Sequence, residues 1–199
     1  MKTLKLFILV CSFALMAQNL RADSYAPCDS VPGNVVVNCG FESSNFIPWI
    51  PGGNITHTQV AEDVFNGYVA NSGTYYVVMG PVGSEGTLSQ TLTTVAGENY
   101  TFAFYFASEG DDPSDFSAYW DGTQLLSLTN PDSGQAYNLY MYTVAATGTD
   151  TIEFSFRDDP GWMALDDVSV SNVPEPGTLG LLFLGLGLGL AFGVRRLFA

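Results

Sequence analysis

Thr151-Ile152-Glu153-Phe154-Ser155-Phe156-Arg157 alternates apolar and polar residues without a break. Side chains two apart in an extended chain share a face. Ile152, Phe154 and Phe156 therefore line one side of a half-buried β-strand. Tyr100-Thr101-Phe102-Ala103-Phe104-Tyr105-Phe106 repeats the pattern, with the large apolar residues at even positions. Further strand-like runs lie at 35–37, 55–60, 75–79, 87–91, 116–120, 124–128, 137–145 and 163–170. Between them stand Pro51-Gly52-Gly53, Gly80-Pro81, Ala96-Gly97-Glu98-Asn99, Asp121-Gly122, Asp132-Ser133-Gly134 and Asp158-Asp159-Pro160-Gly161, all turn chemistry. No window outside two terminal apolar segments has a helical period, and no internal repeat is present. Many short strands at close spacing predict an all-β domain, a single β-sandwich or jelly roll.

The flanks divide the chain into three parts. Lys2 and Lys5 precede an apolar stretch from Leu6 to Ala17, followed by small residues, which is the layout of a secretory signal peptide over 1–22. Cys11 falls inside that apolar stretch behind Val10, which argues against a lipoprotein signal. At the other end, Pro174-Glu175-Pro176 leads into an apolar run over 177–194 and then Arg195-Arg196. A membrane-spanning helix needs roughly 17–25 apolar residues, and the arginines would stay on the cytoplasmic side. The prolines keep the preceding segment extended and out of the helix, as a protease cleft requires. This order resembles the PEP-CTERM sorting signal of exopolysaccharide-producing Gram-negative bacteria. The resemblance implies that the 174–199 segment is cut by the membrane transpeptidase exosortase, after transient anchoring in the inner membrane.

The middle part, 23–173, is one domain's worth of chain. It holds every acidic residue except Glu175, and Arg157 is its only Lys or Arg. Such a surface repels nucleic acid and anionic lipid, which excludes the first as a partner, and it attracts divalent cations. Its recurring Phe and Tyr exclude disorder. Without Cys11 the exported chain keeps Cys28 and Cys39. In an oxidising compartment such a pair forms a disulfide; the other reading is two buried thiols. A bridge closing so short a loop adds on the order of 2–3 kcal/mol by the chain-entropy estimate.

Asn34-Val35-Val36-Val37-Asn38-Cys39-Gly40-Phe41-Glu42, with Trp49 beyond it, resembles the first strand of galactose-binding-like carbohydrate-binding modules. Met163-Ala164-Leu165-Asp166-Asp167-Val168-Ser169-Val170 resembles their last strand. Asn71-Ser72-Gly73-Thr74-Tyr75-Tyr76 and Leu88-Ser89-Gln90-Thr91-Leu92 match patterns in between. The resemblance implies a jelly roll with a structural calcium held by Glu42 and Asp166. Asp166 shares the parity of Val168 and Val170, so the alternation puts it on the apolar face. There it needs a metal, or backbone amides, as partner. Asp111, Asp112 and Asp115 lack the pattern of an EF-hand loop and read as a solvated turn.

Nothing points to catalysis. His57 is the sole histidine and reads as part of a strand's polar face, and no zinc motif or nucleophile elbow is present. A sugar site needs aromatic faces beside polar groups. Tyr105, Tyr119, Glu153 and Arg157 take the polar parity of their strands, and they form a glycan-facing surface if those strands share a sheet. The chain thus reads as an exported surface or matrix protein that binds extracellular polysaccharide. A matrix hydrolase and a structural adhesin are the alternatives.

Overall fold

A computed structural model describes residues 27–173. The expected signal peptide, sorting signal and membrane span lie outside the described residues. Among the described residues no helix is long and apolar enough to cross a membrane. After a 3₁₀ turn at Cys28–Ser30 come β1 (Ile50–Gly53), β2 (Thr58–Glu62), β3 (Tyr75–Met79), β4 (Gly86–Thr93) and β5 (Asn99–Ser108). They are followed by β6 (Ser114–Trp120), β7 (Thr123–Thr129), β8 (Asn138–Ala145), β9 (Thr149–Asp158) and β10 (Met163–Asn172).

The strands make two five-stranded sheets, β1-β4-β9-β6-β7 and β2-β3-β10-β5-β8. Every strand pair is antiparallel. The alternation that defines β5 and β9 builds the core between them. Phe102, Phe104 and Phe106 of the second sheet meet Phe116, Phe154 and Phe156 of the first, and all are buried. The Phe104 and Phe154 rings pack edge to face at 4.9 Å, and Phe106 stacks on Phe116 at 3.9 Å. The second sheet has its other face covered too. The 63–70 segment lays Phe65, Tyr68 and Ala70 over Tyr76, Val78, Ala107 and Ala164. Strands buried on both faces lose the alternation in exposure, and β10 is buried along almost its whole length.

Three local expectations are corrected. The 35–37 run is not a strand. The buried Gln90 side chain satisfies both main-chain groups of Val37, its Oε1 accepting from the amide at 2.9 Å and its Nε2 donating to the carbonyl at 3.0 Å. Pro51-Gly52-Gly53, which reads as a turn, belongs to the edge strand β1, a position that tolerates proline. His57 lies before β2 in a left-handed conformation (φ 57°), so it is a turn residue, and its ring sits 5.7 Å from that of Trp162.

Candidate functional site

The outer face of the first sheet is polar, and cross-strand register arranges it in rows. One row runs Ile50, Ser89, Glu153, Tyr119, Gln124 across β1, β4, β9, β6 and β7. The next runs Gly52, Thr87, Ser155, Ser117, Ser127. Beyond it Arg157 pairs in register with Asp115, and Asp115 with Thr129. The middle row holds only small side chains, and over β9 and β6 it lies between larger ones, Glu153 and Tyr119 on one side and Arg157 and Asp115 on the other, which makes it the floor of a shallow trough. Five strands spaced about 4.8 Å apart make that floor roughly 19 Å long. Gly52 is required at its β1 end, since a Cβ there would lie 2.7 Å from Thr87 Oγ1.

Polar contacts hold the rims in place. Gln124 donates through Nε2 to Ser117 Oγ at 3.1 Å and to the Tyr119 hydroxyl at 3.3 Å. Ser155 Oγ donates to Glu85 Oε2 at 2.7 Å. The Arg157 guanidinium is paired with Asp159. The trough is therefore lined by hydroxyl, amide, carboxylate and guanidinium groups with one tyrosine ring among them, a set able to donate to and accept from many hydroxyls at once.

Tyr119, Glu153 and Arg157 of the expected glycan surface share this face. Tyr105 does not: it lies on β5 in the second sheet, nearly buried, opposite Asp166 of β10. Strand parity alone does not say which sheet a strand joins. Ser117, Gln124 and Glu85 escaped the sequence reading because an isolated serine or glutamine carries no signal until register sets it beside a neighbour.

Glu42 and Asp166 hold adjacent parts of the 71–75 segment. Glu42 Oε1 accepts from the amides of Thr74 and Tyr75, each at 3.0 Å. Asp166 Oδ2 accepts from the amides of Asn71 at 2.8 Å and Ser72 at 3.2 Å, and its Oδ1 from that of Asp167 at 2.7 Å. The expected parity of Asp166 is wrong. Register shifts between Asp166 and Ser169, where Asp167 takes a left-handed conformation (φ 50°). This bulge inserts one residue, so Val168 and Val170 face the core while Asp166 lies on the opposite side with Tyr105.

Asp167, which entered the sequence reading only as part of the closing-strand pattern, is buried as well. Its Oδ1 accepts from the Cys28 amide and Ser72 Oγ, each at 2.9 Å, and its Oδ2 from Asn71 Nδ2 at 2.7 Å. Burial, and then the charge of Asp167, push Asp166 up to about 8. Cys28, tethered by Asp167, is disulfide-bonded to Cys39 with a Cα–Cα distance of 5.9 Å. Two adjacent buried carboxylates, hydrogen-bonded but with no ion pair among the described residues, offer the oxygen ligands that calcium takes, and Asp166 and Asp167 are the residues that would hold it.

The fold is that of carbohydrate-binding modules. The structure of TmCBM61 in complex with β-1,4-galactotriose is 20% identical, with a TM-score of 0.60 over 70% of this chain and 99% of that one. The CBM22-1 xylan-binding domain of Paenibacillus barcinonensis Xyn10C is 14% identical, with a TM-score of 0.51 over 67% of this chain and 91% of that one. The enzymatically active domain of bacteriophage CBA120 tailspike protein 4 is 16% identical, with a TM-score of 0.53, and 21% of its length is covered by 70% of this chain. At these identities the likeness is one of fold alone. No curated protein matches the chain. Residues 172–196 match the PEP-CTERM protein-sorting motif. The chain thus carries a PEP-CTERM motif that begins at Asn172, the last residue of β10.

Proposed function

We propose that this protein is exported, processed by exosortase at its PEP-CTERM motif, and binds a glycan chain along the trough of the first sheet, at the cell surface or in the exopolysaccharide matrix. The observation that carries this reading is the row Gly52, Thr87, Ser155, Ser117, Ser127, a small-residue floor between polar rims that crosses all five strands. A linear sugar chain laid across the strands would exchange its water for Ser and Thr hydroxyls on the floor. Tyr119 would stack on one pyranose face, and Glu153, Gln124 and Arg157 would select hydroxyl positions from the sides. A calcium ion held by Asp166 and Asp167 would supply positive charge between buried acids and tie the 71–75 segment to β10.

The reading is one of binding. Affinity electrophoresis of the full chain against a panel of bacterial exopolysaccharides tests it, with retardation expected in the wild type and lost when Ser117 is enlarged to leucine. Retardation unaffected by that change would take the trough out of the account. No retardation by any polysaccharide would leave a structural adhesin, and release of reducing ends would make the protein a hydrolase.

A further inference from the structure

Asp158 ends β9 with its side chain fully buried, and neither carboxylate oxygen has a well-formed hydrogen bond, the Gly161 amide making at most a poorly aligned one. A lone buried carboxylate is too costly to keep ionised, and its neighbours aggravate the problem. Burial first, then the charges of Asp111 and Glu109, push Asp158 up to about 7, with the Gly161 amide pulling the other way. Asp111, in the turn between β5 and β6, lies so close to Gly161 that a Cβ there would overlap its carboxylate. Glu109 is otherwise engaged: its Oε1 accepts from the Trp162 amide at 2.6 Å and its Oε2 from Gln135 Nε2 at 3.2 Å. The Tyr68 hydroxyl closes the cluster by donating to the Trp162 carbonyl at 2.5 Å, and it is held protonated by burial and by the same three acids. Arg157, the only Lys or Arg among the described residues, is paired with Asp159.

We propose that Asp158 and Asp111 form a second, independent site for a divalent cation, at the junction of the β5–β6 turn and the end of β9. Hard carboxylate ligands and a low demand for regular geometry favour calcium over magnesium. Both Glu109 oxygens are already engaged, by the Trp162 amide and the Gln135 side chain, so Glu109 adds charge rather than a bond, and main-chain oxygens and water would complete the shell. The ion would pin the turn before β6 to the turn after β9. Asp115 and Arg157 stand one residue inside those ends, so the ion would fix the rim they form. That consequence rests on the glycan reading; the site itself does not.

Trp162 follows Gly161 directly and is a built-in sensitiser for terbium luminescence. Titrating the full chain in detergent with terbium, under tryptophan excitation, should give saturable emission that calcium displaces. Asp158→Asn and Asp111→Asn should each weaken the binding at least tenfold. Trp162→Phe should dim the emission without changing its midpoint, and Asp166→Asn should leave the signal of this site intact. Asp111 is half-buried, so its variant decides the matter if Asp158→Asn fails to fold. Absence of saturable emission overturns the proposal, and so does emission that, in an Asp166→Asn background, survives loss of either acid. Emission lost only in Asp166→Asn overturns it too, because the ion then belongs to the Asp166–Asp167 pair and Asp158 simply holds a proton.

Discussion

Tyr119 and Ser117 share the outer face of β6, and substituting each asks a different question of the trough. Tyr119→Ala removes the ring on the rim. A stacking ring is worth about 0.5–1.5 kcal/mol beyond its area, so polysaccharide affinity should fall about tenfold, since 1.4 kcal/mol is a factor of ten. Ser117→Leu should abolish retardation by filling the floor. Both sit on a partly exposed surface, so melting temperatures should move by only about 1–2 °C; a larger drop would mean that binding was lost through unfolding. Asp166 makes a prediction in pH. Its folded value of about 8 lies above the ordinary 3.8, so between those values the folded state holds a proton that the unfolded state has released. The stabilisation is fully present below about pH 4 and is lost as pH rises through 8. In chelator-treated protein the melting temperature should fall across that window. Asp166→Asn should make the profile shallower, leaving the part that Asp158 contributes through about 7, and calcium should restore the alkaline end by taking the place of the proton. A profile that rises between pH 5 and 8 would contradict this assignment.

At the scale of elements, the bulge in β10 does more than any other irregularity to shape the second sheet. Asp167 is its hinge, and its carboxylate serves the Cys28 amide, the Ser72 hydroxyl and the Asn71 side chain together. Asp167→Ala leaves the buried Cys28 amide without a partner and two part-buried side-chain donors with water at best, at about 1–3 kcal/mol for the first and less for the others. The variant should lose about 2–4 kcal/mol, or roughly 5–15 °C in melting temperature, measured by circular dichroism. Asp167→Asn keeps the left-handed preference and part of the bonding, and should fall in between. Strand positions were legible in the sequence wherever one face met the core and the other met water, as in β6 and β9. They were misread where another group replaced a strand partner, as Gln90 does for Val37, and where an edge position let Pro51 into a strand.

At the scale of the whole molecule, the sorting motif follows the last strand without an intervening linker. Val173 still donates its amide to the Asn99 carbonyl at 2.9 Å, and the motif match has begun one residue earlier. Replacing Pro174, Glu175 and Pro176 together by alanine should leave the protein membrane-bound and uncut in cells with active exosortase. Mass spectrometry of the exported protein checks this, and a mature wild-type form that still extends to Ala199 would end the sorting proposal. The Cys28–Cys39 bridge closes the N-terminal arm on itself between its two ties to β10, the Cys28 amide on Asp167 and the Cys39 carbonyl on the Val168 amide, so replacing both cysteines by serine should loosen that arm and cost on the order of 2–3 kcal/mol.

Hydropathy belongs to each residue and strand period to its near neighbours, so the sequence by itself determined the all-β class, most strand positions, the acidic surface and the sorting motif. Sheet partners and register are set between strands far apart in the chain. Only the tertiary structure could place Tyr105 on one sheet and Tyr119 on the other, or turn Asp166 away from the core at a bulge. The trough floor comes from five strands that each contribute one small residue, and Asp158 is orphaned only because the turns around it bring further acids and no cation. None of these properties exists in any single stretch of sequence; each arises when packing brings separate stretches side by side and removes the water between them.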